Sequence, residues 1–97
     1  MNYRFMIEKD PELFYLVRAV INDWDPINIL FTVDEYDPEV GNIAYLLKKK
    51  PDMSVNDLAE EIHEVFTRWF NDGIFQYPKE SCLPIARKIL ESIIHAG

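Results

Sequence analysis

One cysteine, Cys82, and three glycines, Gly41, Gly73 and Gly97, are all that the 97 residues contain of either type. A lone thiol forbids an internal disulfide, and glycines so far apart cannot form the clustered loop that cradles a phosphate. No apolar run approaches the roughly 20 residues of a membrane span. The first ten residues hold no uninterrupted apolar segment and reach an acid by Glu8, unlike a secretory signal. Repeats of 20 to 50 residues, linkers and low-complexity tracts are also missing. The expectation is one domain over 1–97, held in the cytoplasm and free of membrane, since a chain this short cannot divide into two cores.

Positive charge is scarce as well. Ten Lys and Arg face seventeen Asp and Glu, for a net charge of -7 and a pI near 4.7. Nucleic acids and anionic bilayers recruit clustered cations, so neither is an expected partner. The imbalance is local: no Lys or Arg lies between Arg18 and Lys48, where Asp23, Asp25, Asp34, Glu35, Asp37 and Glu39 all fall. The remainder of the chain has eleven acids and ten bases.

Apolar residues at 48% suffice for a core, and they recur with helical period. Asp-Pro occurs at 10–11, 25–26 and 37–38, and each pair suits a helix start, with a carboxylate for orphan N–H groups before a residue that needs no acceptor. After the first, Leu13, Leu16, Val17, Val20, Ile21 and Trp24 form one stripe, with Tyr15, Arg18 and Asn22 opposite. The second opens Ile27 to Phe31, long enough only for a short helical turn near 26–31. The third leads through Val40, Ile43, Ala44 and Leu47 to Lys48-Lys49-Lys50 and Pro51, cations and a proline suited to a helix end.

Ser54 with Asp57 resembles a capping box. Beyond it Val55, Leu58, Ala59, Ile62, Val65, Phe66, Trp69 and Phe70 fall within about 140° of arc at helical period. Glu64 and Arg68 have the favourable i, i+4 spacing on the other side, and Gly73 suits a C-terminal cap. Ser81 and Pro84 fit the start of a last helix whose stripe is Cys82, Ile85, Ala86, Ile89 and Ile93, widened by Leu83, Leu90 and Ile94. Tyr3, Phe5 and Ile7 alternate weakly, as an extended segment or a frayed lead-in would. The fold class expected is all-α: a compact bundle of four main amphipathic helices over about 11–24, 38–49, 55–71 and 82–95.

Side chains with chemical potential have ordinary structural roles open to them. Asp25 and Asp37 suit N-caps, and Glu39 suits a helix N-terminal turn. The acids lack the alternate spacing, sixth-position glycine and twelfth-position glutamate of a calcium loop, so no metal or cofactor is expected. His63-Glu64 lacks the second His four residues on, because position 67 is Thr. His63 is expected beside Phe66 and Phe70, His95 in solvent, and Cys82 in the core. No catalytic residue is assigned.

Trp24-Asp-Pro-Ile27 with Asp34-Glu-Tyr-Asp37, then Val55 to Phe66 with its Leu-Ala and Val-Phe pairs, and Cys82 with Ile85-Ala86, resemble a Bacillus-type bacterial family, the domain of unknown function numbered 1871. Where that family often has glycine after Trp-Asp-Pro-Ile, this chain has Asn28, which tolerates the same left-handed turn. The resemblance implies a small helical cytoplasmic protein, of immunity-like or accessory type, with no established catalytic residues.

The functional expectation is a protein-binding module whose segment 23–39 meets a basic partner through Asp23, Trp24, Asp34, Glu35 and Tyr36. One alternative is a metal-dependent or acid/base enzyme using Asp23, Asp34, Glu35 and Asp37. Another is a homodimer joined through the wide apolar face of the last helix.

Overall fold

Proline at position 11 has no N–H to continue a helical ladder, so two helices meet at Asp10 instead of merging. In the computed structural model, which describes residues 4–27, 32, 34–70, 75 and 77–96, the Asp10 N–H closes the first helix on the Met6 carbonyl at 2.9 Å. Its carboxylate then accepts from Leu13 N–H and caps the second. The helices are α1 (Arg4–Lys9) and α2 (Pro11–Trp24). Phe5 and Ile7 are therefore helical and not part of an extended segment, while Tyr3 lies outside the described residues. Met6 is the residue that α1 buries, and Phe5 stays half exposed.

Three further helices follow: α3 (Asp37–Lys49), α4 (Val55–Trp69) and α5 (Leu83–Ala96), the last entered through a single 3₁₀ turn, Lys79–Cys82. Every regular element among the described residues is helical, and the radius of gyration of 12.3 Å is that of a closely packed chain of this length. The core joins Phe14, Val17 and Ile21 of α2, Val40, Ile43, Ala44 and Leu47 of α3, Leu58, Ile62, Val65 and Phe66 of α4, and Ile85, Ala86 and Ile89 of α5.

Several boundaries differ from the sequence expectation, each for a local reason. Helix α4 stops at Trp69, not 71, with Phe70 N–H closing on the Phe66 carbonyl. Gly73 lies outside the described residues. Trp69, at the end of the predicted stripe, is exposed because the chain leaves the helix there. Ser81 does not cap α5; its N–H bonds the Pro78 carbonyl inside the 3₁₀ turn, and that turn feeds directly into α5. Ser54 does cap α4, accepting from Asp57 N–H at 3.1 Å. The Glu64–Arg68 pair forms at 2.8 Å with both side chains exposed.

Helix α2 is rotated relative to its predicted stripe. Phe14 is fully buried, and Arg18 and Asn22, assigned to the outer side, are half-buried on the inner one. The cause is coverage from two directions: α3 and α5 both pack on α2, so the single apolar stripe does not define the whole inward surface. On α5, conversely, Ile94 is 74% exposed and does not widen the buried face. At the second Asp-Pro, Asp25 is the C-cap of α2 and Pro26 and Ile27 lie in a turn; most of the short helical turn expected near 26–31, including Asn28, lies outside the described residues.

Candidate functional site: the divided acidic segment

The six acids between Arg18 and Lys48 separate into an inward set and an outward set. Asp25 adopts left-handed backbone angles (φ 43°, ψ 61°), a conformation that aspartate tolerates better than most residues, and its N–H closes α2 on Ile21. Its carboxylate accepts from the Tyr36 hydroxyl, and that hydroxyl oxygen accepts from Ile27 N–H at 3.3 Å. The turn after α2 is thereby tied to the start of α3.

Asp37 is the first residue of α3 and is almost completely buried, so it is not the N-cap that Asp-Pro predicted. Tyr36 holds that position without a side-chain cap. The Asp37 carboxylate instead meets the Arg18 guanidinium as a fork, Nε donating to Oδ1 at 2.9 Å and Nη2 to Oδ2. Two parallel charge-assisted bonds fix distance and orientation together. The Arg18 carbon centre also lies 5.0 Å from the Tyr15 ring centroid and 5.5 Å from that of Phe14.

Glu39, in the first turn of α3, is only 3% exposed, and its Oε1 has no hydrogen-bond partner. Burial pushes its carboxyl up to about 7; the Glu39 backbone N–H opposes that rise, and nearby Asp37 adds to it. Sequence reasoning gave Glu39 only a favourable place near the helix dipole. Nothing in the local pattern announces burial, because a glutamate at this position is ordinarily solvated.

The outward set is Asp23, Asp34 and Glu35. The Asp23 side chain is 80% exposed, with Lys88 Nζ of α5 at 3.9 Å, a long contact between two solvated groups. Asp34 and Glu35 are exposed, and the Thr32 hydroxyl lies within hydrogen-bond reach of both carboxylates. That hydroxyl holds the Asp34 carboxyl below the usual carboxylate range, helped by the Asp34 backbone N–H.

Of the two aromatic residues expected here at the surface, Tyr36 is a core residue with 0% exposure, and its ring lies near Phe66 and Phe70. Its hydroxyl carries the bridge to Asp25. Trp24 is half-buried, edge-on to Phe66 at 5.3 Å and to Phe75 at 5.9 Å, and tilted against Tyr77.

The other candidate groups have structural surroundings. His63 Nε2 donates to the Tyr77 carbonyl at 3.0 Å, and its ring packs on Phe75, which covers this side of α4. His95 is exposed. Cys82 is buried, and burial pushes its thiol up to about 11, which keeps it protonated at neutral pH. Among the described residues no three His, Cys, Asp or Glu side chains gather so as to hold a metal ion, and no helix is long and apolar enough to cross a membrane.

Comparison with curated proteins finds no match for this chain, and neither does comparison with solved structures. The sequence profile of one family, Domain of unknown function (DUF1871), does match, over residues 16–96. That span takes in the Arg18–Asp37 fork, the Tyr36–Asp25 bridge, buried Glu39 and the three outward acids. The chain belongs to the DUF1871 family.

Proposed function

We propose that this chain is a protein-binding module of accessory or immunity-like type, working in the bacterial cytoplasm, whose outward carboxylates Asp23, Asp34 and Glu35 meet a basic protein surface. The observation that carries the reading is the division of the acidic segment. Asp25, Asp37 and Glu39 are consumed inside the fold, whereas Asp34 and Glu35 are exposed and form no ion pair among the described residues, Arg18 reaching Asp34 only as a nearby charge while its fork is held by Asp37. Unneutralised like charge costs stability by self-repulsion, and a cationic partner offsets that cost while being steered into place. Trp24 and Tyr36 contribute by holding the segment against α4, not by contact.

The test is Asp34→Asn combined with Glu35→Gln. Both side chains are solvated, so the melting temperature is expected to stay within a degree or two of wild type. A basic partner captured from the source cell by the wild-type chain should associate with the double variant several-fold more slowly at low salt, and with a weaker salt dependence. Unchanged association rate and salt dependence would sink the reading. A second reading, a homodimer through α5, is favoured by one observation, the 74% exposure of Ile94. An Ile94→Lys variant whose mass in solution equals that of wild type at every concentration would remove it.

A further inference from the structure

Leu13 and Leu16 of α2, Leu47 at the end of α3, Pro51, and Ile93 near the end of α5 wall an apolar trough of about 400 Å³. This is within the range of small-molecule pockets, roughly 300 to 1,000 Å³. Leu13, Leu16 and Ile93 pack on the core with one flank and leave the other to the trough. Three charged side chains also line it, Asp10, Glu12 and Lys48, and they are not equivalent. Lys48 Nζ donates to Asp10 at 3.0 Å, and the same carboxylate accepts from Leu13 N–H, so these two charges offset each other within the fold. Glu12 is exposed and forms no ion pair among the described residues. Lys49 stands over the Tyr45 ring at 5.3 Å, and neither Lys49 nor Lys50 lines the trough. One uncompensated carboxylate is thereby left at the edge of an apolar wall. Glu12 and Leu16 are four residues apart on α2, which sets that carboxylate one helical turn from the wall.

We propose that this trough binds a cationic amphiphile, an alkylammonium whose chain lies along Leu13, Leu16 and Ile93 and whose head pairs with Glu12. The wall takes the chain out of water, and each buried methylene adds to the affinity. The ammonium supplies the counter-ion that the fold does not give Glu12. An anionic head would instead face two carboxylates and a lysine already engaged with one of them, and a neutral head would leave Glu12 as it stands. The net charge of -7 adds a longer-range attraction for cations. A second copy of the chain set trough to trough about a two-fold axis would oppose Glu12 with its own equivalent, like charge against like. The inference is independent of the outward acids and of the partner they would meet.

The experiment is amide-resolved NMR of the full chain titrated with decyltrimethylammonium below its micellar concentration, and in parallel with decanol, decanoate and tetramethylammonium. Saturable shifts at Leu13, Leu16, Leu47 and Ile93 are expected with decyltrimethylammonium, with decanol binding more weakly, decanoate more weakly still, and the bare tetramethylammonium head not saturating. Added salt should weaken the cationic ligand and leave decanol unchanged. Glu12→Gln should weaken decyltrimethylammonium about two- to fivefold, leave decanol unchanged and leave the fold intact. Absence of saturable shifts, decanoate binding as tightly as decyltrimethylammonium, or an undiminished affinity in the Glu12 variant would each overturn the proposal. So would a mass of two chains in solution with the same four residues shifting on dilution alone, which would assign the trough to a second copy.

Discussion

Arg18 on α2 and Asp37 on α3, nineteen residues apart, form a two-bond fork in which Asp37 is nearly buried and Arg18 keeps part of its side chain in solvent. The asymmetry decides what each loss does. Arg18→Met strands a buried carboxylate and is expected to cost about 3 kcal/mol, the lower end for breaking a buried pair. Asp37→Asn leaves a guanidinium that reaches water and keeps hydrogen-bond capacity at 37, and should cost clearly less. Urea denaturation of the two variants checks the order; equal losses would mean that Asp37 is not shielded from water.

Tyr36→Phe removes one oxygen from the core without changing its shape. That oxygen donates to Asp25 and accepts from Ile27 N–H, so the variant should lose about 1 to 2 kcal/mol. The outward acids are untouched, so partner binding should survive at temperatures well below the melting point. A variant as stable as wild type would show that the hydroxyl bridge does not hold the turn.

Phe66 sits among Trp24, Tyr36, Phe70 and Phe75, with ring centroids 5.3 to 5.9 Å away. Phe66→Ala is expected to cost about 3 to 5 kcal/mol, because four neighbouring rings cannot all collapse into the space left. Trp24 emission should shift to the red as its edge-on neighbour disappears. An unchanged unfolding midpoint would contradict the central place of this ring.

The helices were legible because each carries its own signal. Ser54, Asp10 and the 3.6 period of α4 act within a few residues, and local patterns report local causes. The same logic explains the failures. Asp-Pro reads as a helix start, yet proline stops a preceding helix as readily as it opens a following one, and Asp25-Pro26 does the former. Asp37 begins α3, but its carboxylate goes to Arg18, a partner that no short-range pattern can supply. Tyr36 reads as a surface aromatic because it lies among acids; only the contact of its ring with Phe66 and Phe70 makes it core. The division of the acids into inward and outward sets, on which the binding proposal depends, is therefore a tertiary property. Charge counting locates the segment and cannot divide it.

Glu39 provides the last prediction, through the pH dependence of stability. Its carboxyl titrates at about 7 in the folded chain and at the ordinary 4.5 when unfolded. Between these values the native state holds a proton that the unfolded state has released, so the slope of unfolding free energy against pH is negative there. The stability Glu39 contributes is fully present below about 4.5, falls as pH rises through 7, and is gone above it. The span corresponds to about 3 kcal/mol at most, from roughly 1.4 kcal/mol per pH unit. Asp10 and Asp34 are held low, by Lys48 and Thr32 first, and act with the opposite sign at more acidic pH. Their contributions are common to wild type and a Glu39 variant and cancel in the difference. Glu39→Gln, which cannot ionise, should therefore gain on wild type from pH 5 to about pH 7 and hold that gain, without further increase, above it. Urea unfolding of both proteins across that range reads the difference directly; a gap that does not widen with pH would mean that Glu39 is ionised and solvated in the folded chain.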